Sequence, residues 1–483
     1  MIARHANNLQ RSAGTVASAH AGACHAGLMR AAILLGIALF AAACTPVPKD
    51  GDFKAVEGLV AGRLAARVYW YQGGPEDELV RRQGEALLAQ PLDLPASVQF
   101  ALLNNYRLQA EYEDLGVAQA DLVQAGLLSN PVFFGKLRPV HGHGKPNSEF
   151  GLAAEFIDLL MRPARQRIAA ADFSRTKLRV AGSILALTAD VSRAWYATQA
   201  AQRLVEILAG VHESASASEL LARRYQEAGN MSRRELTEQR SVVAEVRAEL
   251  LAAEGALQAR RDRLSALMGI GGSGQHWSLA GTLPELPAAD PGAAEMLAGA
   301  LSGRLDLQEI GEEFRQLDSA LEMTRRFRYI GGATVGISTE RDTDGSRVTG
   351  PDFSVELPLF DQRQAQLARL ESLRRQSEMR RRALENEVRA EVDSALHRMA
   401  AARRLAGHYG SELIPAHEEM LQYLQQEQQY MLVDAFAVLA AHRQLRAARR
   451  GYTQAIADYW DARVDLDLAM GGNAAATTAA AGE

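Results

Sequence analysis

Few residues in this chain have the type and spacing that chemistry requires. Gly269, Gly271 and Gly274 spell a G-x-G-x-x-G cluster, the pattern of a loop that cradles a pyrophosphate. A dinucleotide site needs a strand before such a loop and a helix after it. Here a helical pattern precedes the glycines and a proline-rich linker follows, so they read as a helix stop. "DTDGS" at 342–346 starts like a calcium loop, but its twelfth position is Phe353, which offers no bidentate carboxylate. His141 and His143 in "HGHG" could touch a metal, yet two imidazoles without further ligands make a poor site, and ordinary loop histidines are the simpler reading. Met420 and Met431 would suit a soft metal, although methionine on a helix is first of all packing material. No HExxH, Walker A or nucleophile-elbow pattern occurs, and no nucleophile, base and oxyanion donor can be assembled. The residues therefore suggest no enzyme, no cofactor and no resident metal.

Chemistry of another kind is written near the start. Met29-Arg30 precedes "AAILLGIALFAAAC", an apolar run too short to span a bilayer but of signal-peptide length. Small residues Ala41, Ala42 and Ala43 lead to Cys44, a pattern that resembles a bacterial lipoprotein signal in which Cys44 becomes the acylated first residue. The competing reading is a buried helix with an incidental cysteine. Residues 1–43 are then a signal segment whose true start is Met29, and 44–96 a lipid-anchored N-terminal segment with a loop and a helix from about Glu57 to Leu88. The other cysteine, Cys24, falls in the removable part, which excludes a disulfide or a cysteine metal site from the rest.

The elements that follow are long. Only 15 prolines punctuate 483 residues, and Ala, Leu, Arg, Glu and Gln are abundant, a composition suited to helices. A net charge of −5 carries no nucleic-acid footprint. The pattern also occurs twice, about 200 residues apart: Leu108-Gln109 aligns with Leu307-Gln308, and "VSRAWYATQAAQRL" from Val191 with "VDSALHRMAAARRL" from Val392. Repeat 1 spans 97–269: a helix with Ser97 as N-cap, strands 132–138 and 149–157, and a helical hairpin 163–268 opened by Arg162-Pro163. Val180, Ile184, Leu187, Val191 and Ala194 give that hairpin the seam of a coiled coil, answered by Leu236, Val243, Val246, Leu250, Ala253 and Leu257. After a linker at 270–292, repeat 2 spans 293–470, with strands 330–339 and 351–359 and a hairpin 361–470 kinked at Pro415. Residues 471–483 form a low-complexity tail, read as disordered. The expected class is mainly α with a small β part.

Strict alternation in the strands has two readings. Phe150, Leu152 and Phe156, and likewise Val335, Ile337, Phe353, Val355 and Leu357, fall on one face; Glu149, Glu155, Asp352 and Glu356 fall on the other. A half-buried soluble sheet would show this. A tilted transmembrane strand of about 9–10 residues would show it too, and the flanking helices already have coiled-coil partners. In lipid only a closed barrel satisfies the backbone. One chain supplies four strands where the smallest barrels need eight, so several chains must share the closure, and three copies would give twelve. The apolar set then faces lipid and the acidic set a water-filled lumen.

This arrangement resembles the outer membrane factor family, the TolC-like channels of tripartite efflux pumps and type I secretion. The resemblance rests on "QAGLLSNPVFFG" before the first strand, "VELPLFDQRQAQLARLE" after the last, the duplicated helix–strand–strand–helix order and the lipoprotein start. It implies a homotrimer with a 12-stranded barrel in the outer membrane and an α-barrel crossing the periplasm. Its partners would be a periplasmic adaptor and an inner-membrane pump, of RND type, for export of small molecules or metal ions. The family's far aperture is closed by the hairpin turns, here Gly229, Asn230 and Met231 with Arg233 and Arg234, and Tyr430 and Met431 with Asp434. Pairing of Arg233 and Arg234 with Asp434 across neighbouring hairpins would lock it. The second turn lacks a glycine, and "TPVPKDG" replaces the "GPDY"-like segment of the drug-efflux branch. "SNPVFFG" and "RPARQRIAAA" look closer to the heavy-metal, copper-associated branch. The competing readings are a lipid-anchored coiled-coil adaptor without a pore and a type I secretion conduit.

Overall fold

A computed structural model describes residues 47–139, 145–271 and 277–472. The signal segment, Met29, Cys24, Cys44, His141, His143, Gly274 and the tail from 473 lie outside the described residues. The chain divides into Met1–Lys49 and Asp50–Glu483, and everything below concerns the second unit.

Its elements are α1 (Phe53–Ala61), α2 (Pro75–Leu88), α3 (Leu94–Asn104), α4 (Tyr106–Gly126), β1 (Val132–Arg138), β2 (Asn147–Glu155), α5 (Phe156–Glu227) and α6 (Arg233–Met268). After the linker come α7 (Ala293–Gly303), α8 (Leu305–Arg326), β3 (Ala333–Arg341), β4 (Arg347–Val355), α9 (Gln364–His408), a π turn (Tyr409–Leu413), α10 (Ile414–Gln429) and α11 (Ala435–Ala469). At 72 residues α5 extends roughly 110 Å. The expected seam residues are buried but in two places: Val180, Ile184 and Val191 of α5 pack with Val56 of α1, Leu102 of α3, Leu115 of α4 and Leu264 and Met268 at the end of α6, whereas Leu250 and Ala253 of α6 pack against Leu208 further along α5. The second hairpin buries Val388, Val392, Ala395 and Met399 of α9 against Tyr459, Ala462 and Leu466 of α11.

Several boundaries differ from the sequence reading, each for a local reason. The helix expected over 57–88 is two helices, because Gly73-Gly74-Pro75 cannot continue one and Pro75 opens the next. The helix expected from Ser97 begins at Leu94, capped by Asp93, whose side chain accepts from the Ala96 amide at 2.8 Å. Ser97 is inside and buried, its hydroxyl donating to the Asp93 carbonyl. That helix also breaks at Asn105, whose side chain caps α4 through the Leu108 amide at 3.0 Å, and the second copy breaks likewise at Arg304. Pro163 does not open α5 but lies inside it, where it forfeits one helical hydrogen bond. Pro415 stands just after the π turn, which absorbs the register change its missing N–H imposes.

The two repeats, the N-terminal segment and the linker are fastened together at several points. β2 of the first pairs with β3 of the second. Arg63 donates to the Gly303 and Gly471 carbonyls at 2.7 and 2.6 Å. Arg403 of α9 forks onto Asp290 of the linker at 2.6 and 2.8 Å, and the Tyr459 hydroxyl donates to the same carboxylate. Arg193 of α5 and Arg398 of α9 close from opposite sides on Asp465 of α11, at 2.6 and 2.5 Å. Both also lie near Asp461 one turn earlier, at 3.5 and 3.6 Å. The two carboxylates respond oppositely. Burial raises Asp461, and the neighbouring Asp465 charge adds to it. Burial also works against Asp465, but the direct hydrogen bonds from Arg398 and Arg193 outweigh it and hold that carboxyl low.

Candidate functional site

The four strands form one antiparallel sheet in the order β1-β2-β3-β4. Its register settles the faces. Phe133 opposes Leu152, which opposes Ile337, which opposes Pro351. Ala154, Val335 and Phe353 form a second such row. These side chains stand on one face and are uncovered, Phe353 being 82% exposed and Ile337 56%. Between them run the polar rows: Lys136 with Glu149 and Glu340, Ala153 with Gly336 and Asp352, and Glu155 with Thr334 and Ser354. Lys136 and Glu149 form an ion pair at 3.2 Å, and the Asn147 amide donates to Glu340 at 2.7 Å. Two glycines make this face close-packed. A Cβ on Gly151 would meet the Phe134 ring at 2.6 Å, and one on Gly336 the Asp352 carboxylate at 2.3 Å.

An isolated water-soluble sheet would bury its apolar face and solvate its polar one. Here the flanking helices leave the apolar face bare and the charged groups pair with each other. Sequence reasoning missed Phe133 and Leu137 on the apolar face and Lys136 and Glu340 on the polar one. The alternation in "VFFGKLR" held the signal for the first three.

Three expected strand residues fall elsewhere. Phe156 is the first residue of α5. The expected strand 351–359 is displaced to 347–355, because Pro351, suited to a strand's first position, actually sits inside β4 opposite Ile337. Leu357 is therefore beyond the strand and 71% exposed, next to the equally bare Leu359 and Phe360. Glu356 closes the foot of the β3–β4 hairpin: its amide donates to the Gly332 carbonyl at 2.8 Å and its carboxylate accepts from the Gly332 amide at 2.9 Å.

At the other end the two hairpin turns are built alike. Gly229 takes φ 80° after α5, with Asn230 N–H on the Tyr225 carbonyl and Gly229 N–H on that of Gln226. Met431 takes φ 59° after α10, with Leu432 N–H on Glu427 and Met431 N–H on Gln428. Both are Schellman caps. Ser232 and Glu235 make a reciprocal capping box on α6, and Asp434 caps α11 through the Ala437 amide at 2.9 Å. The tips touch through Tyr225 and Phe436, edge to face at 6.1 Å. The expected Arg233/Arg234–Asp434 pairing is not made within the chain: Arg234 pairs with Glu238 at 2.5 Å, and Asp434 is occupied as a cap. Tyr430, Met431 and Leu432 are bare.

Among the described residues no helix is long and apolar enough to cross a membrane, and no group of three or more His, Cys, Asp or Glu could hold a metal ion.

Residues 142–270 match the family model described as outer membrane efflux protein. The chain is 25% identical over 393 residues to the cobalt-zinc-cadmium resistance protein CzcC of Cupriavidus metallidurans, covering 79% of this chain and 91% of that protein. Its fold matches the Campylobacter jejuni CmeC outer membrane channel with a TM-score of 0.67 at 14% identity, covering 86% of this chain and 91% of that one. It matches a membrane protein from Pseudomonas aeruginosa with a TM-score of 0.66 at 18% identity, covering 84% and 98%. With a sheet bare on its apolar face and paired helical hairpins below it, the chain shares the fold of outer membrane channels and is similar to the outer membrane efflux proteins, which makes it a channel component of an efflux system, set in the outer membrane and reaching into the periplasm.

Proposed function

We propose that three copies of this chain close a 12-stranded barrel and a helical tunnel, a passive conduit for metal ions handed on by an inner-membrane pump of the RND type through a periplasmic adaptor. The observation that carries this is the open sheet. Among the described residues β1 and β4 have no neighbour on their outer edges, and lipid tolerates no unpaired backbone. β1 and β4 run in opposite directions, so β4 of one copy meets β1 of the next as an antiparallel pair, and the polar face with Glu149, Asp352 and Glu340 comes to line the lumen.

Metal cargo is supported by the CzcC relative, which is named for cobalt, zinc and cadmium resistance. Anchoring through an acylated Cys44 is supported by the apolar run and small residues before it. The bare tips Tyr430, Met431 and Leu432, with Gly229, Asn230, Met231, Arg233 and Arg234, would form the aperture that the adaptor engages.

Expression beside a cognate pump and adaptor, in a host stripped of metal export, tests the reading. Restored tolerance to zinc, cobalt or cadmium supports it. Tolerance restored only to organic drugs would refute the metal cargo. A purified chain that yields no conductance in a planar bilayer would refute the conduit. A Cys44→Ala chain that still incorporated labelled palmitate would refute the anchor.

A further inference from the structure

At the sheet end away from the helices, Arg341 of β3 and Arg347 of β4 stand directly opposite each other. Alternation puts both on the apolar, outward face, in line with Thr339, Ile337 and Val335 and with Thr349, Pro351 and Phe353. Like charges facing across a ladder destabilise a sheet unless something neutralises them. Among the described residues no carboxylate lies within ion-pairing distance of either guanidinium. The neighbouring acids are engaged elsewhere: Glu340 points to the polar face and accepts from Asn147, while Asp342 and Asp344 accept from the turn amides of Thr343 and Ser346. Residues 140–144, between β1 and β2 in sequence, are Val, His, Gly, His and Gly, with no acid among them. The Arg341 Nε–H is shielded from solvent and has no acceptor. Lys145, on the neighbouring loop beside Gly345, adds a third cation to this rim.

Height matters as much as charge. The arginine row stands eight residues along β3 from Ala333, roughly 20–26 Å allowing for tilt, which is about the height of a barrel's apolar band. The guanidinium groups thus meet the plane where hydrocarbon gives way to headgroups.

We propose that Arg341 and Arg347 clamp a phosphate of a phosphorylated lipid headgroup in the outer leaflet. The forked donors of two guanidinium groups suit a phosphate, and their place on the lipid-facing side favours a lipid over a soluble acidic protein. This rests on the barrel reading above.

The test uses the full-length protein in mild detergent, with native mass spectrometry to count bound lipid and a heat-modifiability gel to check assembly. The probes are diphosphoryl lipid A, monophosphoryl lipid A and inorganic phosphate. The expected result is retention of diphosphoryl lipid A by the wild type, weaker retention of the monophosphoryl form, and no displacement by inorganic phosphate. Arg341→Ser/Arg347→Ser should lose roughly tenfold or more in retention, and Arg341→Lys/Arg347→Lys should keep part of it. If the serine pair fails to assemble, Arg347→Thr alone, at the exposed first position of β4, must still weaken retention. Unchanged retention in an assembled serine variant or in Arg347→Thr overturns the inference and leaves the barrel standing. Displacement by inorganic phosphate overturns it in favour of a free anion site. A wild type that shows no heat-modifiable oligomer sinks the barrel reading itself, before any lipid is added.

Discussion

Gly229 and Met431 occupy the same place in the two hairpins: each is the left-handed residue of a Schellman cap, at φ 80° and φ 59°. Glycine takes that conformation without cost, whereas a side chain with a Cβ is strained there by roughly 1 kcal/mol. The second turn retains the geometry and tolerates the strain, with Met431 almost wholly in solvent. Met431→Gly should therefore raise the thermal unfolding midpoint, by the equivalent of about 1 kcal/mol, and Gly229→Met should lower it by a similar amount. Equal midpoints for both variants and the wild type would show that these turns are not ordered as described.

Ile337 and Ser338 are neighbours in β3 with opposite surroundings, one opposing Leu152 and Pro351 on the apolar face, the other Gly151 and Gly350 on the polar face. Arginine at Ile337 would put a charge in hydrocarbon near mid-height, at a cost of roughly 2–4 kcal/mol. Arginine at Ser338 would enter water. The expected outcome is loss of the heat-modifiable oligomer in Ile337→Arg and its survival in Ser338→Arg, with altered conductance in the latter. Equal tolerance of both would remove the case for a membrane sheet.

How far this sheet could be read from the sequence depended on the strand. In β2 each apolar residue is followed by a small or charged one, so the faces of Phe150, Leu152 and Ala154 followed from period alone. β4 defeated the same reading, because Gly350 and Pro351 look like a turn and only the pairing with Gly336–Ser338 reveals them as strand. The helix breaks at Asn105 and Arg304 were hidden by uninterrupted apolar spacing; Asn105 was a findable cap, but Arg304 makes no side-chain cap. Gly229 announced its turn and Met431 did not, since nothing in a methionine advertises positive φ. The role of Glu356 at the foot of the hairpin depends on a backbone 24 residues away and was beyond any local rule.

Asp465 and Asp461 separate a carboxylate that fastens the repeats from one that merely tolerates burial. Asp465→Asn removes the charge held between Arg193 and Arg398 and should cost roughly 1–3 kcal/mol at neutral pH. Asp461→Asn should be neutral or slightly stabilising, because burial already disfavours its charged form. The acid dependence follows in sign. Asp465 has a lowered folded pKa, so its contribution is complete above the ordinary aspartate value, near 4, and is lost as pH falls through the lower folded one. Denaturant midpoints from pH 7 down to pH 3 should thus fall less steeply for Asp465→Asn than for the wild type. A parallel fall would remove Asp465 from the acid response.

Tyr225 and Phe436 offer the most direct test of how the tips are held. Their edge-to-face contact joins α5 of one hairpin to α11 of the other, in a region where most other large side chains are exposed. Such pairs contribute about 0.5–1.5 kcal/mol beyond the area they bury, which on the proposed aperture reading is enough to shift an opening equilibrium several-fold and too little to unfold the hairpins. Tyr225→Ala and Phe436→Ala should each raise the open fraction in single-channel recordings, and the double variant should add little to either single one, since one contact is lost in all three. Tyr225→Phe should behave as wild type, because the ring and not the hydroxyl makes the contact. Additive effects of the two alanines would mean that the rings act separately, each against a neighbouring copy, and that the closed state is held between protomers instead of within one.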